Sequence, residues 1–137
     1  LGLSHKHLPE LQTHSRLSRR PIFLPSVGNF PKGMLVSVPL HLDTLNGTPS
    51  PEMLEDALAA YYDGPGPISV IRAADDPTQK SGRISADDLA DTDKLELRVY
   101  GNAAHGQAVL VARLDNLGKG ASGAAVQNIR LMLGLTS

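Results

Sequence analysis

Apolar residues in the first half of the chain recur twice with a helical period. In residues 8–17 the leucines fall at helical spacings, and Pro9 suits a first helical turn, whose N–H groups have no partner inside the helix. In residues 50–62 a Ser-Pro-Glu start leads into apolar residues three and four apart, until a Gly-Pro-Gly segment interrupts them. The pattern predicts a short helix followed by a longer one.

Further stretches have the pattern of β-strands. Apolar and polar residues alternate over residues 33–42, which predicts a half-buried strand, and Pro39 cannot donate to a neighbouring strand, so a sheet edge is expected there. A short apolar run at residues 68–71 predicts another strand. Residues 95–99 and 107–114, joined by a glycine-containing turn, predict a β-hairpin.

The remaining segments differ in composition. Residues 73–93 are rich in Asp, Ala, Pro and Gly, which predicts a long surface connection with one turn of helix. Residues 118–135 begin with small residues and continue with aliphatic ones, which predicts a terminal helix. Because Gly120 and Gly123 each cost roughly 1 kcal/mol of helix propensity relative to alanine, we expect another backbone or a flat ligand to approach closely there.

Together these elements indicate one domain over residues 1–137. The predicted fold class is α+β, with a mostly antiparallel sheet and helices on one side of it. A chain of 137 residues with 41% hydrophobic content is long enough to bury one core.

Composition excludes several function classes. The formal net charge is −1, from 13 basic and 14 acidic residues, so neither nucleic acid nor an anionic membrane is an expected partner. No apolar run approaches the roughly 20 residues that cross a bilayer, which favours a cytoplasmic protein. The chain begins with neither the pattern of a signal peptide nor an initiator methionine, so we expect it to be part of a longer polypeptide. Without cysteine, the chain holds no disulfide and no thiol nucleophile.

Two histidines lie immediately before the first predicted helix. His5 and His7 are two residues apart, so in an extended segment both rings point to the same side and can bind one ligand. The alternative is a pair of ordinary surface histidines. A metal site that adds His14 has nothing to fix its geometry, so no metal is expected.

Two segments resemble signatures of the N-acetyl-γ-glutamyl-phosphate reductase family. They are LSHKHLPE at residues 3–10 and DNLGKGASGAAVQN at residues 115–128, in the family's order and separation. The strand segments between them also match, so the resemblance covers essentially the whole chain. It implies the C-terminal substrate-binding and dimerisation domain, with a fold similar to that of the glyceraldehyde-3-phosphate and semialdehyde dehydrogenases.

The resemblance also implies chemistry. In this family a cysteine attacks the acyl phosphate of N-acetylglutamyl 5-phosphate, phosphate leaves, and NADPH reduces the thioester to the semialdehyde of arginine biosynthesis. By the motif match His7 is the acid/base and His5 a substrate-binding group. NADP is expected mainly on an N-terminal domain that also carries the cysteine, so the present chain alone is expected to be inactive.

The second signature suggests binding roles near the nicotinamide. Asn116 or Asn128 can hydrogen-bond its carboxamide, and Gly120 allows close approach. Lys119 can neutralise a substrate phosphate or be a solvated surface lysine. Close packing of residues 118–135 against the absent cofactor domain is the alternative role for the small residues, and it is compatible with the first.

Other functions remain open. The C-terminal glycine- and alanine-rich helix is broadly similar to that of aspartate-semialdehyde dehydrogenase, although SHKHLPE argues against that enzyme. A non-catalytic oligomerisation or binding module is a further alternative. In each case a homo-oligomer, dimer or tetramer, is expected by analogy with related dehydrogenases.

Overall fold

The computed structural model describes residues 2–135, and its centre is a sheet of four strands. The strands are β1 (Met34–His41), β2 (Ile68–Val70), β3 (Leu95–Asn102) and β4 (Gln107–Leu114), in the order β1-β4-β3-β2. Strand β4 is antiparallel to β1 and β3, whereas β2 is parallel to β3. The predicted α+β class is confirmed. The one parallel pair makes the sheet mixed, and residues 71–94 supply the long crossover that parallel strands need.

The helices of the described residues are α1 (Leu8–His14), α2 (Pro51–Tyr61), the single turn α3 (Thr78–Ser81) and α4 (Gly123–Met132). A π-helical turn, Gly118–Ser122, leads into α4, and 3₁₀ turns occupy Leu42–Thr44 and Ala103–His105. Helix α2 begins as predicted, because the Ser50 hydroxyl accepts the Met53 N–H at 3.2 Å.

Two predicted helices have different boundaries. The first was expected to reach residue 17, but α1 ends at His14, and Arg16 takes a left-handed conformation with φ +54°. The last was expected over residues 118–135. It opens with the π-helical turn instead, and α4 ends at Met132 before Gly134 turns the chain at φ +67°.

The core lies between the sheet and α2. Leu42, Val99 and Ala108 are buried there, with Leu54 and Leu58 of α2 packed against them. The start of the helix crosses β3 at Gly101, where an added Cβ would lie 2.3 Å from the Pro51 ring. Glycine is therefore required at that crossing.

Strand β1 lies at the edge of the sheet, as predicted. The Leu42 N–H donates to Gly106 O at 2.8 Å. Because hydrogen-bonded residues alternate along an antiparallel pair, the backbone N–H and C=O groups of the even-numbered residues of β1 point towards β4. Pro39 thus faces the open edge and loses no ladder bond. The prediction of a buried alternate face is wrong for Val36 and Val38, which are 43% and 45% exposed, because α2 packs over β2 and β3.

The face opposite α2 carries a network of charges that anchors the 72–93 connection. Arg98 Nε lies 3.1 Å from Asp76 Oδ2, and Arg113 Nη2 lies 2.6 Å from Glu96 Oε2. Arg113 also pairs with Asp88. Arg98 Nη1 is 2.9 Å from Glu96 Oε2 but poorly aligned, so this contact is an ion pair without a hydrogen bond. The connection is therefore more than the surface loop that its composition predicts.

The two carboxyls of this network remain ionised. Burial raises the pKa of Asp76, but hydrogen bonds from Thr78 and the charge of Arg98 outweigh it, so this pKa lies below its usual value. Burial likewise opposes the effect of Arg113 and Arg98 on Glu96, whose pKa is also lowered.

Candidate functional site

The two predicted histidines lie together in the turn before α1. The segment is a turn and not the extended stretch expected from the sequence, since the Leu8 N–H bonds to His5 O at 3.1 Å. Their ring centroids are 4.7 Å apart, and the backbone N–H of His7 donates to His5 Nδ1 at 3.3 Å. The His5 ring also packs 4.9 Å from Phe23. His7 is exposed, so its imidazole is accessible to a ligand or to another part of a protein.

The second signature folds into a tight turn directly after β4. Asp115 is 1% exposed, and its Oδ1 accepts the N–H groups of Leu117 at 2.7 Å and Gly118 at 3.1 Å. Its Oδ2 accepts the Asp91 N–H at 2.7 Å. Its backbone oxygen accepts the Gly120 N–H at 2.8 Å, five residues on, which begins the π-helical turn.

These bonds also determine the charge state of Asp115. The N–H groups of Gly118 and Leu117 hold the pKa of its carboxyl below the usual value despite burial. The carboxylate is therefore ionised at neutral pH, and its charge is stabilised mainly by backbone donors.

Asn116 connects this turn to the beginning of β1. Its Oδ1 accepts the Gly33 N–H at 2.9 Å, which leaves the amide NH₂ as the group that can donate elsewhere. Gly33 has φ +118°, and an added Cβ would lie 2.3 Å from Ala86 O. The junction of these segments thus depends on a glycine.

Asn116 also lines a cavity of about 670 Å³. The cavity lies between the 26–31 loop, the start of β1 and residues 84–87. Its wall is mainly apolar, with Phe30, Met34 and Ile84. The amide is one of the few polar groups there, an arrangement typical of small-molecule sites.

The small residues of the last segment allow close packing within this chain. An added Cβ would lie 2.6 Å from Thr92 O at Gly118 and 1.7 Å from Asp93 Oδ1 at Gly123. At Gly120 the nearest atom, Asp115 O, would be 3.2 Å away. The expected spatial reason for glycine therefore exists at Gly123, and it is contact with the segment before β3.

Lys119 and Asn128 lie differently with respect to the turn. Lys119 Nζ donates to Gln127 Oε1 at 2.5 Å, which ties the π-helical turn to α4. Asn128 is exposed on α4. Beside them a cavity of about 380 Å³ separates α4 from residues 65–67. The helix and its end expose large apolar side chains: Val126, Ile129, Leu131, Met132, Leu133 and Leu135.

The two signatures are held by separate contacts. Within residues 2–135, no hydrogen bond or ring contact joins His5 or His7 to the turn after β4. The same residues contain no group of three or more His, Asp or Glu side chains placed to hold a metal ion. No helix among them is long and apolar enough to cross a membrane.

Comparison with known proteins identifies the family. A family model described as semialdehyde dehydrogenase, dimerisation domain, matches residues 1–116. The chain belongs to this family. Individual relatives match a longer part of the chain than the family model does. N-acetyl-gamma-glutamyl-phosphate reductases of Brucella ovis, Brucella canis and Brucella suis are each 54% identical to it over 134 residues.

These matches cover 98% of the chain but only 43% of each reductase. The chain thus spans less than half the length of the curated relatives. The resemblance to the reductase family that the two signatures indicate is confirmed. The semialdehyde dehydrogenase fold it implies agrees with the observed sheet and helices.

Sequence reasoning missed one residue that organises the candidate site. Asp115 lies within the second signature, but its sequence motif predicted roles only for residues that follow it. An Asp followed at two and three residues by N–H donors, with a Gly at the third, has the spacing of a side-chain-capped turn, and that spacing could have identified it.

Proposed function

We propose that this chain is the substrate-binding and dimerisation part of a cytoplasmic NADPH-dependent reductase. The reaction converts N-acetylglutamyl 5-phosphate to N-acetylglutamate 5-semialdehyde and phosphate, a step of arginine biosynthesis. The observation that supports it best is 54% identity over 98% of the chain to reductases of that name. The chain contains no cysteine, so the nucleophile comes from the rest of the polypeptide and the isolated domain is inactive.

His7 acts as the acid/base in this proposal. A thiolate from the other domain attacks the acyl carbon and phosphate departs, which forms a thioester. Bound NADPH supplies the hydride for that carbon. His7 accepts the thiol proton before attack and gives a proton to the carbonyl oxygen as that carbon is reduced. It then takes the hydroxyl proton back and passes it to the sulfur as the C–S bond breaks, which releases the aldehyde and regenerates the thiol. Its exposure in front of α1 leaves the ring free to do so.

The remaining predicted site residues bind and orient. His5 contacts His7 and lies beside it for substrate binding. Lys119 keeps two N–H groups beyond its bond to Gln127, and these can meet a phosphate oxygen. For NADP, the side-chain NH₂ of Asn116 fits the oxygen of the nicotinamide carboxamide. The Asn116 Oδ1 already accepts the Gly33 N–H, so the NH₂ group is the part left to bind a ligand. Gly120 and Asn128 complete the proposed cofactor contacts.

Two apolar surfaces suit the contacts of a larger protein. The exposed side chains of residues 126–135 pack in this proposal against the cofactor-binding part of the polypeptide, which agrees with relatives more than twice as long as the chain. Val36 and Val38 on β1 pack against a second copy, as the family's description as a dimerisation domain suggests. The assembly is a homodimer or a tetramer built from it.

The test is an assay of the complete gene product. N-acetylglutamate semialdehyde, NADP and phosphate are mixed with the enzyme, and NADPH formation is followed. Phosphate-dependent oxidation supports the proposal. Oxidation of aspartate semialdehyde in preference would favour an aspartate-semialdehyde dehydrogenase, and a folded protein that oxidises neither would indicate a non-catalytic oligomerisation module.

A further inference from the structure

We propose that Asp115 is a positioning residue, which fixes the turn of residues 116–120 so that this turn can bind the cofactor. The inference rests on the proposed function, because it takes the turn to be the cofactor-facing segment. Asp115 itself touches no ligand. It acts by holding in place the turn that carries Asn116 and Gly120.

The geometry gives Asp115 control over both ends of the turn. Its Oδ1 fixes the N–H groups of Leu117 and Gly118, and its backbone oxygen fixes that of Gly120. Its Oδ2 is bound to the Asp91 N–H, so the turn is held against the segment before β3. The side chain is 1% exposed, so water cannot easily replace any of these bonds.

Both carboxylate oxygens are needed as acceptors. In Asp115→Asn the side chain has the same size but one oxygen becomes an NH₂ group, which faces either Asp91 N–H or the pair at Leu117 and Gly118. Two donors then face each other in a buried place. The turn must shift, and Asn116 shifts with it.

Asp76, near the start of the 72–93 connection, offers a matched control with no bond to the turn of residues 116–120. It is also a buried aspartate, 4% exposed, and accepts bonds from the Thr78 N–H and the Arg98 side chain. Asp76→Asn should lower stability as Asp115→Asn does. It lies on the face of the sheet that packs against α3, and the proposal gives that face no part in cofactor binding.

The experiment compares the two variants in the complete gene product. Thermal stability, NADPH affinity by fluorescence titration, and KM and kcat are measured for each. Asp115→Asn should weaken NADPH binding roughly tenfold or more, since a misplaced contact is costly. Asp76→Asn should lower the melting temperature and leave NADPH affinity within about twofold of wild type.

The outcomes separate the inference from the proposed function. Equal NADPH affinity in wild type and Asp115→Asn would overturn the role of Asp115 even if the enzyme is active. Wild-type protein that binds NADPH but does not reduce the acyl phosphate would refute the reductase alone. Equal losses of NADPH affinity in both variants would show a general effect of lower stability and would count against a specific role for Asp115. Wild-type protein that binds no NADPH would also count against that role.

Discussion

Arg98 and Asp76 form a buried ion pair that joins the sheet to the 72–93 connection. The Nε–Oδ2 distance is 3.1 Å, and the two side chains are 5% and 0% exposed. Strand β3 supplies the cation, and the residue before Pro77 in the connection supplies the carboxylate. The pair lies on the face of the sheet that α2 leaves free, so this connection performs the packing that a second helix layer performs in other folds.

Removal of one partner should be costly. In Arg98→Met, Asp76 keeps its bonds from Thr78 but loses its countercharge in a buried place, and we expect a loss of roughly 3–5 kcal/mol in unfolding free energy. Urea denaturation of the purified protein measures it. The control is Arg72→Met, at an arginine whose side chain is 42% exposed. Its partner Asp56 is exposed, and its less exposed partner Glu55 keeps the bond from the Ala73 N–H, so the loss should be less than about 1 kcal/mol. Similar losses in both variants would contradict the buried role.

The same network predicts acid lability. Because the pKa values of Asp76 and Glu96 are lowered in the folded state, the unfolded chain takes up protons first as the pH falls. Their contribution is fully present above about pH 5 and is lost as the pH falls through 4 towards the folded values. The melting temperature measured from pH 7 to pH 3 should fall in this window. Asp76→Asn should flatten the curve, and an unchanged slope would show that other groups cause it.

The sequence predicted much of the fold because the periodicity of apolar residues and the residues that begin and end helices and strands are local signals. Ser50 and the glycines after residue 62 bound α2, and the alternation of the two hairpin strands made their pairing evident. The edge position of β1 followed from Pro39 alone. These elements depend on neighbours within a few residues, so a single sequence contains the information.

Other features depend on distant partners. Nothing near Arg98 indicates that Asp76, far along the chain, will bind it, and an acidic connection has the composition of a surface loop. The exposure of Val36 depends on how far α2 reaches, which the strand's own pattern does not determine. For the candidate site, the motifs identified the segments, whereas the bond from Gly33 to Asn116 required the structure.

Gly33 should tolerate no side chain. Gly33→Ala would place a Cβ 2.3 Å from a backbone oxygen that cannot move alone, in addition to the strain of φ +118°. Gly64 is a matched control, since its φ is +121° with nothing within 4 Å of an added Cβ. We expect Gly33→Ala to cost about 1–3 kcal/mol more than Gly64→Ala in unfolding free energy, measured by urea denaturation. Equal costs would mean that the backbone near residue 86 yields easily.

The exposed valines of β1 should stabilise self-association. The double variant Val36→Lys and Val38→Lys puts charges into the proposed contact between copies and should raise the dimer dissociation constant roughly tenfold or more. Sedimentation velocity over a concentration series of the complete gene product measures it. Val27→Lys is the control, because Val27 is also exposed but lies in a loop. Unchanged association in the double variant would place the dimer contact elsewhere.

His7 gives the sharpest test of the proposed chemistry. In the complete gene product, His7→Asn keeps a hydrogen-bonding side chain of similar reach but cannot transfer a proton near neutral pH, so kcat should fall roughly 10²-fold or more. His14→Asn changes the exposed histidine at the end of α1, and its kcat should remain close to wild type. Steady-state assays with circular dichroism as a folding check decide between them. If His7→Asn retained wild-type kcat, the histidine pair would serve only to pack the turn before α1, and the proton would have to come from the other domain.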